Sequence, residues 1–223
     1  MGSGVHGFND CNQPITAGLQ RKPKFKIVRQ FGMPQRVDCR TPPNRMNTIV
    51  ADLCILEPQA VSHAPEMFLV LSDPAIYEFE NSPPQSEEWL VNRFRKLESR
   101  QSPDGMQHWL NWVIRLPNNE LAGYVQATVH EDGLCYVAYE LSSKYWRKGL
   151  GRSAVTAMLR ELASNFQVST VVAVLKAKNF RSHALLMNLG FDSAEAEVIS
   201  LVDPEADEVV LSKSLLGSRT PTK

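Results

Sequence analysis

Ten consecutive residues from Tyr145 to Ala154, reading Tyr-Trp-Arg-Lys-Gly-Leu-Gly-Arg-Ser-Ala, combine the parts of a phosphate cradle. Gly149 and Gly151 permit a turn with positive φ and let a ligand approach the main chain closely. An amphipathic pattern begins at Leu150, so the unpaired N–H groups of a helix start, and the positive end of its dipole, face that turn. Arg147, Lys148 and Arg152 add fixed positive charge. The amides supply direction and the side chains supply charge, which together suit a bound phosphate.

Which phosphate is a separate question. Gly149 to Ala154 also fits the Gly-x-Gly-x-x-Gly/Ala dinucleotide fingerprint, but three features count against it. Ser142 to Lys148 intervene between the preceding strand and the glycines. The acid expected after the next strand is missing, since Leu175 is followed by Lys176, Ala177 and Lys178. Too little chain remains after the glycines for the rest of a doubly wound sheet. A Walker loop is excluded, because no Gly-Lys-Ser/Thr occurs. Taken alone, the stretch reads first as a basic loop that caps an ordinary helix.

The elements around it give the reading its weight. Ile49 to Leu56 predicts a first strand, ended by Pro58, and His63 to Leu71 has helical spacing that Ser72, Asp73 and Pro74 break. Ser86 is placed to cap a helix over Glu87 to Ser99, with Leu90, Phe94 and Leu97 on one face. A meander follows: His108 to Leu116, Glu120 to His130, a hairpin turn at Glu131, Asp132 and Gly133, then Leu134 to Leu141. From Leu150 the stripe of Leu150, Ala154, Val155, Met158, Leu159, Leu162 and Phe166 predicts a helix. Val168 to Leu175 reads as a strand buried on both faces. Asn179 is the expected N-cap of a helix over Phe180 to Leu189, with Gly190 as its C′ residue. Two strands, Ala196 to Val202 and Glu208 to Lys213, are expected to form a hairpin at Asp203 and Pro204. The order β-α-α-β-β-β-α-β-α-β-β predicts a mixed α/β sheet with helices on both faces.

This order, the glycine loop, and the segment from Asn179 to Phe191 (Asn-Phe-Arg-Ser-His-Ala-Leu-Leu-Met-Asn-Leu-Gly-Phe) together resemble the GNAT superfamily of acyl-CoA N-acyltransferases. The family's loop is Gln/Arg-x-x-Gly-x-Gly/Ala, and its later signature is Asn-x-x-Ser/Ala with an apolar helix ending Leu-Gly-Phe. Tyr145 and Trp146 before the loop, and Leu71 to Tyr77 (Leu-Ser-Asp-Pro-Ala-Ile-Tyr), are similar to the ribosomal-protein N-acetyltransferase (RimJ/RimL) branch. The likeness covers residues 48–213. It leaves a basic, irregular extension over 1–47 and a tail over 214–223. One departure is Trp146, where many members carry Gln or Arg.

The resemblance implies acetyl-CoA as co-substrate, its pyrophosphate on the amides of Lys148, Gly149, Leu150, Gly151, Arg152 and Ser153. It also implies a pantetheine arm that pairs like an added strand with Leu141, Ser142 and Ser143, and a cofactor contact at Asn179. Amide formation needs a deprotonated amine, a polarised thioester carbonyl and stabilisation of the leaving thiolate. A main-chain N–H around Leu141 can polarise the carbonyl. Glu140 is the nearest acid in sequence for the amine's proton, although alternation places it on the face opposite Tyr139 and Leu141. Glu195 and Glu197 are rivals, as is water alone. The tyrosine that many members carry on the last helix is replaced by Leu186, and Ser182 is the family's alternative donor to sulfur. Trp109, Trp112, Tyr124 and His108 lie on strands that could line the acceptor side, and His130 is expected to be exposed. The expected reaction is acetylation of a primary amine, a protein N-terminus or a small molecule. The alternative is a catalytically weak domain that binds acetyl-CoA or a partner.

Composition is that of a soluble globular chain: 223 residues, 43% hydrophobic and 22% charged. No apolar run approaches the roughly 20 residues of a membrane helix. The start has no signal-peptide layout, and His6 stands where a myristoylation signal wants Ser or Thr. Cys11, Cys39, Cys54 and Cys135 are too scattered for a zinc site or a disulfide framework, which fits the cytoplasm. Zero net charge hides an asymmetry. Residues 1–47 carry eight basic side chains against Asp10 and Asp38, a balance of +6 that leaves −6 on the rest. The first expectation is a solubilising arm that folds back on its acidic body; contact with nucleic acid or the ribosome is the alternative. A monomer or a homodimer is compatible with all of this.

Overall fold

The computed structural model describes residues 46–130, 134–166 and 168–215. The expectations for the basic arm before residue 46, the turn at 131–133 and the tail from 216 lie outside the described residues. An eight-stranded mixed sheet runs in the order β1 (Ile49–Val50), β2 (Ile55–Pro58), β3 (Gln107–Arg115), β4 (Leu121–His130), β5 (Leu134–Leu141), β6 (Thr170–Lys176), β8 (Glu208–Ser214), β7 (Asp192–Ser193). Every neighbouring pair is antiparallel except β5 and β6. The helices are α1 (Ala64–Leu71), α2 (Glu87–Leu97), α3 (Leu150–Asn165), α4 (Phe180–Asn188) and α5 (Ala196–Val202). Among the described residues no helix is long and apolar enough to cross a membrane.

Side-chain alternation sorts the sheet into two faces. Leu110, Trp112, Ile114, Val125, Ala127, Val137, Leu141 and Ala173 share one buried cluster with the α3 stripe and with Leu186 of α4. On the other face Val113 and Tyr124 pack with Ala64, Met67 and Leu71 of α1 and Leu90 and Phe94 of α2. Farther along, Val172 and Val210 pack beneath Val198 and Val202 of α5. Arg115 ties this second face together through Glu57 (3.0 Å) and Glu66 (3.0 Å), and Glu66 also accepts from the Leu121 N–H (2.6 Å).

The caps read from the sequence hold. Ser86 Oγ accepts from the Trp89 N–H at 3.1 Å, Asn179 Oδ1 from the Ser182 N–H at 3.1 Å, and Gly190 follows α4 with φ +78°. Two expectations do not. The first strand is broken, because the Ala51 N–H bonds to the Cys54 carbonyl in a tight turn that separates β1 from β2. Residues 196–202 are helix, and Asp203 (φ +51°) terminates it where a hairpin turn was expected. The apolar Val198, Leu201 and Val202 fit a helical stripe as well as a strand, and β7 already pairs with that edge of β8.

The sheet also splits. β5 and β6 pair only from Leu134 to Tyr136 against Thr170 to Val172, after which each continues without the other. Parallel strands diverging in the middle of a sheet leave a slot walled by main chain on both sides.

Candidate active site

The slot opens into a cleft of about 540 Å³. Ala173, Val174 and Leu175 of β6 form one wall, Val137 to Leu141 of β5 the other, with Ser182 and Leu185 of α4 and Ile76, Phe79 and Glu80 from the segment after α1. Of the residues expected from sequence, Glu140, Leu141, Arg147, Gly149, Gly151, Arg152, Asn179 and Ser182 line this cleft together. Lys148, Leu150, Ser142, Ser143 and Ser153 do not.

At the loop end, Gly149 caps α3 with φ +79° and offers no side chain to the helix. The Ser153 N–H bonds back to the Gly149 carbonyl at 3.0 Å, which closes the first helical turn. The N–H groups of Leu150, Gly151 and Arg152 therefore precede the first intrahelical bond, as at any helix start. A Cβ on Gly151 would meet Leu141 Cδ1 at 3.1 Å and Leu185 Cδ2 at 3.3 Å, so only glycine leaves that floor clear. Three open amides, a dipole end and two arginines fit a pyrophosphate.

Three of the amides expected to meet the cofactor already have partners within the fold. The Ser142 N–H is committed to the Ala122 carbonyl (2.9 Å) and the Ser143 N–H to Asp73 Oδ2 (2.8 Å), so neither amide is open to a pantetheine arm. The Ser153 amide is consumed within α3, and its hydroxyl accepts from the Leu53 N–H at 3.1 Å. The Leu141 main chain is not spent on β4. Strand alternation turns its main chain away from β4 and toward the slot, where its carbonyl accepts from Trp146 Nε1 at 2.9 Å. The unusual tryptophan of the loop thus buttresses the end of β5.

Asp73 is a residue that sequence reasoning left without a role. It caps the turn at Pro74–Tyr77 through the Ala75 N–H (3.1 Å) and grips Ser143 across the fold. Burial alone would raise its pKa, but the hydrogen bonds from Ser143, Ala75 and Ser142 outweigh burial and hold the carboxyl below its ordinary value. An Asp-Pro pair announces a capped turn, but nothing local announces the partner 70 residues away. Arg181 is another. Its guanidinium lies 4.4 Å from the Trp146 ring centre and 4.8 Å from that of Phe79, and it pairs with Glu78. It thereby ties α4 to two loops at the cleft mouth.

The two faces of the slot differ in charge. Tyr139 and Leu141 belong to the α3/α4 face, with Arg147, Arg152 and Ser182. Glu140 alternates onto the opposite face, beside Tyr124 and the segment that bears Glu80. Glu80 was also missed. Burial, and then the nearby Glu208 carboxylate, push its pKa up, while Lys176 partly offsets them. A raised folded-state pKa means that the ionised carboxylate opposes folding above that value and not below the ordinary 4.5. Glu80→Gln is therefore expected to raise the melting temperature at pH 8, with the gain disappearing as the pH falls below about 4.5. Thermal melts at the two pH values check it.

The other expected residues lie elsewhere. Trp109 and Trp112 are buried in the sheet and outside the cleft, and only Tyr124 of the aromatic set lines it. His108 begins β3, where it pairs with Val129, and His130 packs edge-on to Tyr136 at 5.3 Å. Glu195 and Glu197 are exposed at the start of α5 and outside the cleft. Leu186, in contrast, is buried and lines the cleft.

The sequence profile described as an acetyltransferase (GNAT) domain matches residues 53–192. No curated protein matches the chain. Among solved structures, the fold is similar to ribosomal-protein-S5-alanine acetyltransferase from Vibrio fischeri, with 17% identity, TM-score 0.62, and coverage of 77% of this chain and 98% of that one. RimL, a ribosomal L7/L12 alpha-N-protein acetyltransferase in complex with coenzyme A, gives 17% identity, TM-score 0.62, and coverage of 75% and 98%. The microcin C7 self-immunity acetyltransferase MccE, in complex with acetyl-CoA and AMP, gives 19% identity, TM-score 0.59, and coverage of 73% and 93%.

Proposed function

The chain belongs to the GNAT family of acetyl-CoA-dependent N-acetyltransferases, and from that premise we propose that its acceptor is a primary amine, a protein N-terminus or a small molecule, that enters on the Glu80/Glu140 face of the slot. One observation carries this reading. Arginines and open helix amides line one face of the split sheet, carboxylates line the other, and the two meet only where β5 and β6 part. A polyanionic donor and a cationic amine need opposite potentials, and a split sheet lets both reach one point.

Acetyl-CoA supplies the activated acyl group. Leu150, Gly151 and Arg152 hold its pyrophosphate through their amides, with Arg147 and Arg152 adding charge. The free edge of β5 guides the pantetheine arm toward Leu141, whose N–H faces the thioester carbonyl and stabilises the negative charge that grows there. Glu140 accepts the proton of the attacking amine, directly or through water. Glu80 draws the ammonium form of the acceptor into the slot. Ser182 is at the first turn of α4 on the donor face, next to the departing sulfur. The likeness to ribosomal-protein acetyltransferases favours a peptide N-terminus, and the likeness to MccE keeps small amines in the panel.

The test is calorimetry with acetyl-CoA, then thiol release against peptides with varied first residues and a panel of small amines. Saturable binding and release with one of the two acceptor classes is the expected result. An absence of acetyl-CoA binding overturns the reading. Binding without turnover of any amine favours an acetyl-CoA-binding or interaction module.

A further inference from the structure

Thioester aminolysis leaves a pair of electrons on sulfur, and a buried slot must supply a donor there. The side chains on the donor face can be taken in turn. Trp146 Nε1 is committed to the Leu141 carbonyl, the Tyr145 hydroxyl to Glu120, and Arg181 to Glu78. Asn179 accepts at Oδ1 from the Ser182 N–H as the cap of α4, which holds its side chain at the helix start, and Arg147 and Arg152 belong to the loop end. Two hydroxyls remain at the level of the slot, on Ser182 and Tyr139.

Tyr139 stands in the free stretch of β5, beyond its last pair with β6. Its ring packs against the core on the α3/α4 face, the same side as Leu141 and Ser182. Its Oη is inaccessible to solvent and makes no hydrogen bond of ordinary length among the described residues. The Ser182 hydroxyl is near enough to draw its acidity down, against a burial that pushes the phenol up to about 12. A buried hydroxyl left without an acceptor is uncommon in a native fold. Here the face it looks onto is the one that holds the donor substrate.

Resting on the acetyl-transfer reading above, we propose that Tyr139 is a catalytic residue whose phenolic O–H donates a hydrogen bond to the sulfur of the departing CoA thiolate, with Ser182 positioning that hydroxyl. The amine nitrogen forms its bond to the acyl carbon as the C–S bond breaks. The C–S electron pair goes to sulfur and the amine proton to Glu140 or water. Tyr139 keeps its own proton throughout, since burial holds the phenol neutral, and the thiolate takes a proton from solvent on release. The donor acts only once charge has developed on sulfur, so its contribution is to the rate and not to ground-state binding.

The test uses the full chain with acetyl-CoA and whichever amine the wild type turns over. Tyr139→Phe removes the hydroxyl alone, and kcat is expected to fall about a hundredfold. The KM and calorimetric Kd for acetyl-CoA are expected to stay within about twofold, and the melting temperature to move little, because the buried hydroxyl's one neighbour, Ser182, is not within ordinary hydrogen-bond geometry. Unchanged kcat overturns the proposal, and so does a parallel loss of kcat and acetyl-CoA affinity. A second variant avoids any question of folding: 3-fluorotyrosine at position 139 keeps the ring and strengthens the donor, so kcat is expected to equal or exceed that of wild type. A fall in its kcat overturns the proposal. A wild-type chain that binds no acetyl-CoA would sink the parent reading; an active wild type with an equally active Tyr139→Phe sinks only this one.

Discussion

Gly123→Ala is expected to do more damage than any other single added methyl in the described fold. Gly123 lies in β4 opposite Leu141 with φ +153°. A Cβ there would sit 2.0 Å from the Glu140 carbonyl oxygen and 2.9 Å from both the Glu140 carbonyl carbon and Leu141 Cα. All three are main-chain atoms, so no rotamer change relieves the contact. The end of β5 must move, and with it Glu140, Leu141 and the bond from the Ser142 N–H to the Ala122 carbonyl. A clash of this kind belongs with the severe packing substitutions, on the order of 3 kcal/mol or more, or about 10 °C in melting temperature for a chain of this size. Activity is expected to fall further than stability, because the displaced residues are those that would face the thioester and the amine. Thermal melts and acetyl-CoA turnover check both parts. A variant that melts within two or three degrees of wild type and turns over normally would show that the close approach has no structural importance.

Gly151→Val tests the opposite combination, with affinity lost and stability kept. Gly151 has ordinary helical backbone in the first turn of α3, so valine brings no strain of φ, and its helix propensity is no worse than glycine's. The first added carbon meets only the ends of two leucine side chains, Leu141 at 3.1 Å and Leu185 at 3.3 Å, which can give way. The two further methyls add bulk beside the amides of the cradle, where the proposed pyrophosphate would lie within hydrogen-bond distance. Acetyl-CoA affinity is expected to fall about a hundredfold, near 2.7 kcal/mol, while the melting temperature moves little. Gly151→Ala should lose about tenfold or less. Calorimetry on the two variants gives the comparison, and equal affinity in Gly151→Val and wild type would remove the pyrophosphate from this end of α3.

These effects also separate what could be read along the chain from what could not. The glycine loop, the α3 stripe and the Asn179 cap are legible because each is a local pattern whose partners lie within one helical turn. The Trp146 bond to Leu141 spans five residues and went unread, since nothing in a tryptophan's neighbours says which carbonyl its ring will reach. Glycine inside an alternating strand is a known sign of close approach, and Gly123 carried that sign. Residues 196–202 misled because a short apolar run with β-branched Val198, Ile199 and Val202 suits a strand by composition and a helix by spacing.

By itself, the sequence determined the family's element order, the helix start at Gly149, and the glycine and arginine residues gathered there. Local periodicity, capping chemistry and backbone freedom are properties of adjacent residues. Only the tertiary structure decided which of those groups remain open. Asp73 takes the Ser143 amide, the first turn of α3 takes that of Ser153, and the parting of β5 from β6 leaves Leu141 without a strand partner on that side. Only packing brought Glu80 and Glu140 to line one cleft and set Tyr139 beside Ser182. Each pairing joins atoms about 40 to 70 residues apart in the chain, and neither member carries any local mark of the other.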